Sequence, residues 1–79
     1  MKIQYLMRRY RFQGHVETTK NDEELVEMLD FLGFFMYEQK RVGGTVGISG
    51  FIDSNLTFGT LKKLLKFMDF HMTEFNEVV

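Results

Sequence analysis

The sequence contains no cysteine and no proline, and only two histidines among its 79 residues. Without cysteine, neither a disulfide framework nor a thiolate metal site can form, and this absence fits a reducing compartment, so we expect a cytoplasmic location. No hydrophobic run approaches the roughly 20 residues that a membrane span needs. Arg8 and Arg9 interrupt the stretch where a secretion signal would have its apolar segment. The sequence therefore predicts neither a membrane protein nor a secreted one.

Hydrophobic residues are abundant instead. They make up 44% of the chain, which excludes simple disorder, and the length predicts one small domain over residues 1–79. Nine phenylalanines and six methionines are a large apolar load for so short a chain. We expect part of this load on the surface, where a large apolar patch marks an interface. The net charge of −1 does not favour a nucleic-acid partner for the chain as a whole.

Residues 41–53 read RVGGTVGISGFID and contain four glycines. A P-loop needs a Gly-Lys pair, and none occurs in the chain. A dinucleotide fingerprint needs G-x-G-x-x-G between a strand and a helix, whereas this stretch reads as strand. A Gly–Gly pair between two extended runs is typical of a two-residue hairpin turn. The glycines therefore predict a β-hairpin turning at Gly43–Gly44, and no cofactor is predicted.

The hairpin register follows by counting outward from the turn. It pairs Val42 with Thr45, Arg41 with Val46, Gln39 with Ile48, Tyr37 with Gly50 and Phe35 with Ile52. This register places Phe35 on the apolar face of the hairpin, and Met36 opposite Phe51 on the polar face. Gly50 then makes room for the Tyr37 ring across the ladder, and Gly47 leaves space opposite Lys40.

Two helices are predicted. Asn21 can cap a helix over residues 22–32, Glu24 stands at the capping-box spacing, and Gly33 sits where a left-handed residue ends a helix. A second stripe at helical spacing consists of Leu61, Leu64, Leu65 and Met68.

Both ends of the chain allow two interpretations. Residues 1–19 form either one bent strand, with an irregularity near Arg8–Arg9, or a hairpin turning at Gln13–Gly14. Residues 71–79 either continue the second helix or form a final strand. The element order is thus β(β)αββα or βαββαβ, and the second resembles the ferredoxin-like arrangement. Both are α+β folds in which two amphipathic helices cover one face of a three- or four-stranded antiparallel sheet.

No catalytic constellation is evident in the sequence. His15 and His71 lack the defined spacing of a metal motif such as H-E-x-x-H, so no metal site is predicted and both are interpreted as ordinary surface or boundary residues. The acidic residues at the start of the first helix are explained by the helix dipole. We therefore expect that the protein is not an enzyme.

The aromatic and methionine excess suggests a protein partner, because these residues are enriched at interfaces. The candidate interface residues are Met36, Phe51, Phe34, Phe67 and Phe70. The leading hypothesis is a small interaction or regulatory module, either an inhibitor or accessory protein of another protein or a homo-oligomer. Phages and mobile elements encode many such accessory proteins, which is an argument from analogy.

The alternative hypothesis is a nucleic-acid binder. The segment RRYRF, residues Arg8, Arg9, Tyr10, Arg11 and Phe12, interleaves basic and aromatic side chains as a base-stacking platform with phosphate contacts does. A second interpretation of the segment is a strand whose aromatic rings are core and whose arginines pair with the acidic first helix.

Overall fold

A computed structural model describes residues 7–79, which form six elements in the order βαββαβ. The elements are β1 (Arg8–Glu17), α1 (Asp22–Leu32), β2 (Phe34–Val42), β3 (Thr45–Ser54), α2 (Phe58–Phe67) and β4 (Phe70–Glu77). The strands make one antiparallel sheet in the order β2-β3-β1-β4. The predicted α+β class is confirmed, and of the two predicted element orders the chain adopts the ferredoxin-like one.

Both helices pack on the same face of the sheet, and the core lies between the two layers. The buried hydrophobic residues are Tyr10, Phe12, Val16, Leu25, Leu29, Leu32, Phe34, Val46, Ile48, Ile52, Leu61, Leu65, Phe70 and Phe75. Side chains of alternate strand residues point the other way, to a face that no helix of residues 7–79 covers. We call this second surface the open face.

Helix α1 has the boundaries that its sequence predicts. The Asn21 side chain accepts a hydrogen bond from the Glu24 N–H, at 2.8 Å, and the Glu24 carboxylate accepts one from the Asn21 N–H. Gly33 ends the helix in the left-handed region, with φ of 94°, and its carbonyl accepts a hydrogen bond from the Asp53 N–H at 2.9 Å. The end of α1 is therefore fixed to the far end of β3.

Strand β1 is continuous, so the alternative hairpin at Gln13–Gly14 is not formed. The chain passes straight through this point because Gly14 lets β4 approach closely; an added Cβ there would overlap the His71 carbonyl oxygen. The register between β1 and β4 shifts by one residue at the same place. The predicted irregularity near Arg8–Arg9 is not found from Arg8 onward, where the pairing of β1 with β3 is regular. Ile3 and Tyr5, on which that prediction partly rests, lie outside the described residues.

The hairpin of β2 and β3 follows the predicted register near the turn and departs from it farther away. Val42 pairs with Thr45 and Gln39 with Ile48, as predicted, but Phe35 pairs with Phe51 rather than Ile52. One extra residue on β2, between Phe35 and Glu38, makes a β-bulge. The prediction that Phe35 faces the core is therefore wrong: the bulge turns Phe35 to the open face and puts Phe34 in the core.

Helix α2 stops without glycine or proline. Asp69 takes the left-handed conformation, with φ of 66°, which aspartate tolerates better than most residues. The chain then enters β4, so residues 71–79 contain the predicted final strand and do not extend the helix. Neither helix of the described chain is long and apolar enough to cross a bilayer.

Candidate protein-interaction surface on the open face

Two phenylalanines lie side by side near one end of the open face. Phe35 on β2 and Phe51 on β3 are paired across the strands, and their ring centroids are 5.8 Å apart. Both rings are half-buried, although no helix of residues 7–79 covers them. The bulge in β2 creates this pair, because the straight register would have sent Phe35 into the core.

Two arginines from β1 extend over these rings. The Arg9 Cζ atom lies 4.6 Å from the Phe35 ring centroid, and the Arg11 Cζ atom lies 5.8 Å from the Phe51 centroid. Both distances fall within the roughly 6 Å range of a cation–π contact. We call these four residues, Arg9, Arg11, Phe35 and Phe51, the Arg–Phe cluster.

Carboxylates of neighbouring strands hold the two guanidinium groups in place. The Arg9 Nε and Nη2 atoms donate to the two oxygens of Asp53 at 2.9 and 3.2 Å. This hydrogen bonding raises the pKa of Arg9, so the group stays charged. The Arg11 Nε atom lies 3.6 Å from a carboxylate oxygen of Glu74. Two hydrogen bonds thus tether Arg9, and a carboxylate beside each guanidinium group compensates much of the positive charge of the cluster.

The predicted interface residues do not come together on one surface. Phe34 and Phe70 are 4% and 2% exposed and belong to the core, so the expectation that they face a partner is wrong. They are buried because the bulge turns Phe34 inward and because β4 places Phe70 beneath the helices. Met36 and Phe67 are exposed, at 80% and 85%, but Phe67 lies on α2, away from the sheet surface. Phe51 is the predicted residue that joins the Arg–Phe cluster.

The segment RRYRF splits between the two faces of the sheet. Tyr10 and Phe12 are fully buried, and the Tyr10 hydroxyl donates to the Leu56 carbonyl oxygen at 2.6 Å. A stacking platform built on these two rings is therefore excluded for the folded chain. Arg8 points along the core side and donates to the Asn55 carbonyl oxygen at 3.4 Å. The aromatic rings are core, as the second interpretation of the segment predicted.

That interpretation also paired the arginines of the segment with helix α1, and this part is wrong. Arg9 and Arg11 pair with carboxylates of β3 and β4 instead, because β1 lies between these two strands and its odd-numbered side chains face away from the helices. The arginine that forms an ion pair with helix α1 is Arg41 of β2, whose Nε atom lies 3.1 Å from a carboxylate oxygen of Asp22.

The two histidines meet on the open face. His15 and His71 are direct cross-strand partners on β1 and β4, and their rings stack with centroids 4.7 Å apart and planes 13° apart. Glu17 stands two residues beyond His15 on the same side of β1. One ligand atom of each of the three side chains lies within 4.8 Å of the others. Sequence spacing could not reveal this group, because it depends on the register between the first and last strands.

Comparisons of the chain with protein-family models, with curated proteins and with solved structures returned no match.

Proposed function

We propose that the protein is a non-enzymatic interaction module that binds a protein surface through its open face. The observation that carries this proposal is the Arg–Phe cluster, which presents aromatic and guanidinium groups together on a rigid sheet. Arginine and aromatic residues are enriched in the energetically important centres of protein interfaces.

The tethering of the arginines supports a binding role. A long side chain that is ordered only on binding costs about 0.5–1.5 kcal/mol in lost rotamer freedom. Asp53 already holds Arg9 at two points, and the Phe35 ring lies beneath it. Most of this ordering has therefore taken place before a partner arrives.

The partner we infer first is a second copy of the chain. The open face carries charges of both signs: the basic residues are Arg9, Arg11 and Lys40, and the acidic residues are Glu17, Glu38, Asp53 and Glu74. A twofold interface brings one surface against itself, so it requires self-complementary charges. A face of mixed sign allows such pairing, whereas a uniformly basic or acidic face would repel its copy. An inhibitor or accessory role would use the same surface on a different protein.

Sedimentation equilibrium over about 1 to 500 µM, a range that covers weak and moderate dimers, tests self-association. We expect the wild type to dimerise and Phe51→Ser to weaken the dimer by at least about 30-fold, because losing one such residue at an interface centre costs about 2 kcal/mol and a dimer loses it from both chains. Phe67→Ser is the matched control, because Phe67 is also exposed but lies on α2.

A strictly monomeric wild type, or a Phe51→Ser variant that associates as strongly as the wild type, would overturn self-association. If the wild type is monomeric, wild type and Phe51→Ser are each used as bait to capture proteins from the host. This comparison would decide between a different protein partner and none. A partner held equally by both proteins would count against the open face as the binding surface.

A second candidate function is single-stranded nucleic-acid binding. It is favoured by the position of Phe35 and Phe51, because aromatic rings on the open surface of a four-stranded sheet are suited to stack bases. Arg9 and Arg11 would contact phosphates after releasing Asp53 and Glu74. Fluorescence anisotropy with single-stranded DNA and RNA would show binding that falls steeply with added salt and weakens in Arg9→Gln. Absence of binding at low salt would reject this candidate.

A further inference from the structure

The cross-strand pair of His15 on β1 and His71 on β4 supports an inference that is independent of the proposed interaction. We propose that His15, His71 and Glu17 form a binding site for Zn²⁺ or a related divalent transition metal. Two imidazole nitrogens and one carboxylate oxygen are a ligand set that zinc binds in proteins, with water in the fourth position.

The side chains are close enough to bind one ion. Ligands on a tetrahedral zinc at about 2.0–2.2 Å stand about 3.3 Å apart, and the three donor atoms already lie within 4.8 Å of one another. Each pair of donors must therefore approach by no more than about 1.5 Å, which rotations about side-chain bonds supply. His71 and Glu17 are exposed, and His15 is half-buried.

The surroundings leave room for these rotations. On the side of His15 away from His71, the cross-strand neighbour is Gly47, which has no side chain. Even an added Cβ at Gly47 would meet only the Lys40 carbonyl oxygen, at 3.8 Å. Gly47 therefore adds no side chain that would obstruct rotation of the His15 ring on that side.

The backbone that carries the three ligands is already ordered. His15 and His71 form a regular pair near one end of the β1–β4 ladder, between the pairs Gly14–Met72 and Val16–Phe70. The Thr73 hydroxyl donates to the Gln13 carbonyl oxygen at 3.0 Å beside the register shift, and Phe70, next to His71, is anchored in the core. Metal binding would thus order three side chains and leave the fold unchanged.

The ligand types determine which ions the site selects. Imidazole nitrogens suit zinc, copper and nickel, whereas magnesium and calcium prefer oxygen ligands only. The site would therefore bind Zn²⁺ and leave Mg²⁺ unbound. Three protein ligands also leave one coordination position for water or a small ligand.

Isothermal titration of tag-free, chelator-treated protein with ZnCl₂ tests the site. We expect one zinc per chain, no heat with MgCl₂, and a rise in melting temperature with zinc that EDTA reverses. His71→Ala and Glu17→Gln should each weaken zinc binding at least tenfold, because even outer-shell changes cost about 10- to 100-fold. Glu38→Gln, which removes a carboxylate elsewhere on the open face, should bind as the wild type does.

Absence of zinc binding by the folded wild type, or equal affinity in His71→Ala, would overturn the proposal. Half an equivalent of zinc per chain would overturn a site within one chain, since it would mean that the ion lies between two copies. Circular dichroism of each variant confirms that it is folded. Phe51→Ser should retain full zinc affinity, so the metal site and the proposed interaction can fail separately.

Discussion

Replacing Gly50 with alanine tests the β-bulge that turns Phe35 to the open face. An added Cβ at Gly50 would lie 2.6 Å from the Tyr37 Cα atom and 2.9 Å from the Met36 carbonyl oxygen. Real Cβ atoms essentially never approach other atoms within 3.0 Å. Because both contacts are with backbone, no side-chain rotation relieves them, and β2 must move away from β3.

The cost follows from these contacts. Overpacking typically destabilises by about 1–3 kcal/mol, and rigid backbone on the other side places Gly50→Ala near the upper end. Alanine recovers about 0.5–1 kcal/mol, because glycine loses more conformational freedom on folding. We therefore expect a net loss of about 2 kcal/mol, which is a large part of the roughly 3–5 kcal/mol that the core of so small a domain supplies. At about 4–8 °C per kcal/mol, the melting temperature should fall by roughly 8–16 °C.

Gly47→Ala on the same strand is the matched control. Its Cβ would meet only the Lys40 carbonyl oxygen at 3.8 Å, an ordinary van der Waals distance. This variant should be as stable as the wild type or more stable by about 0.5–1 kcal/mol. Thermal and urea unfolding, followed by circular dichroism, measure both variants. A Gly50→Ala protein within about 0.5 kcal/mol of the wild type, the range of an ordinary surface substitution, would refute the bulge and the placement of Phe35.

Two further predictions concern stability. Asn21→Ala removes the acceptor of the Glu24 N–H bond and should lower the free energy of unfolding by about 1 kcal/mol in urea titrations; an unchanged value would show that the capping box contributes nothing. Burial raises the pKa of Tyr10 above its usual value of 10.0, and the Glu77 carboxylate adds to the rise. The stability that this shift supplies is fully present below pH 10 and is lost as pH rises toward the folded-state pKa, because the unfolded phenol ionises first. Unfolding titrations across this range should show a shallower alkaline decline for Tyr10→Phe than for the wild type, and equal slopes would contradict the assignment.

The features that the sequence predicted best depend on neighbouring residues. The capping box of Asn21 and Glu24 and the left-handed Gly33 each depend on residues that are close in the chain. The local sequence is therefore enough to place both ends of helix α1. The diglycine turn likewise sets the nearest pairs of the hairpin, such as Val42 with Thr45.

The bulge in β2 could not be predicted, because it reconciles two constraints that are far apart in the chain. The turn fixes Val42 against Thr45, and the bond from the Asp53 N–H to the Gly33 carbonyl oxygen fixes Phe34 beside Ile52. Between these two pairs β2 has one residue more than β3, so one residue must bulge. The left-handed conformation of Met36, with φ of 47°, is a consequence that no propensity of methionine indicates.

The candidate sites were missed for the same reason. Phe35 joins Arg9 only because of the bulge, and His15 meets His71 only because β4 pairs with β1 in one register. Composition correctly indicated an aromatic excess, but which rings are covered is decided by the register. Phe34 and Phe35 are adjacent in the chain and lie on opposite faces.

The central position of β1 has a consequence for synthesis. On the ribosome β1 emerges ahead of both of its neighbours, and β4 is added only after the other five elements of residues 7–79 have been made. Until then one long edge of β1 has no hydrogen-bonding partner, and Phe12 lacks the rings of Phe70 and Phe75 that pack against it. A nascent chain halted before Phe70 would thus expose an unpaired strand edge beside apolar rings, a combination that invites aggregation.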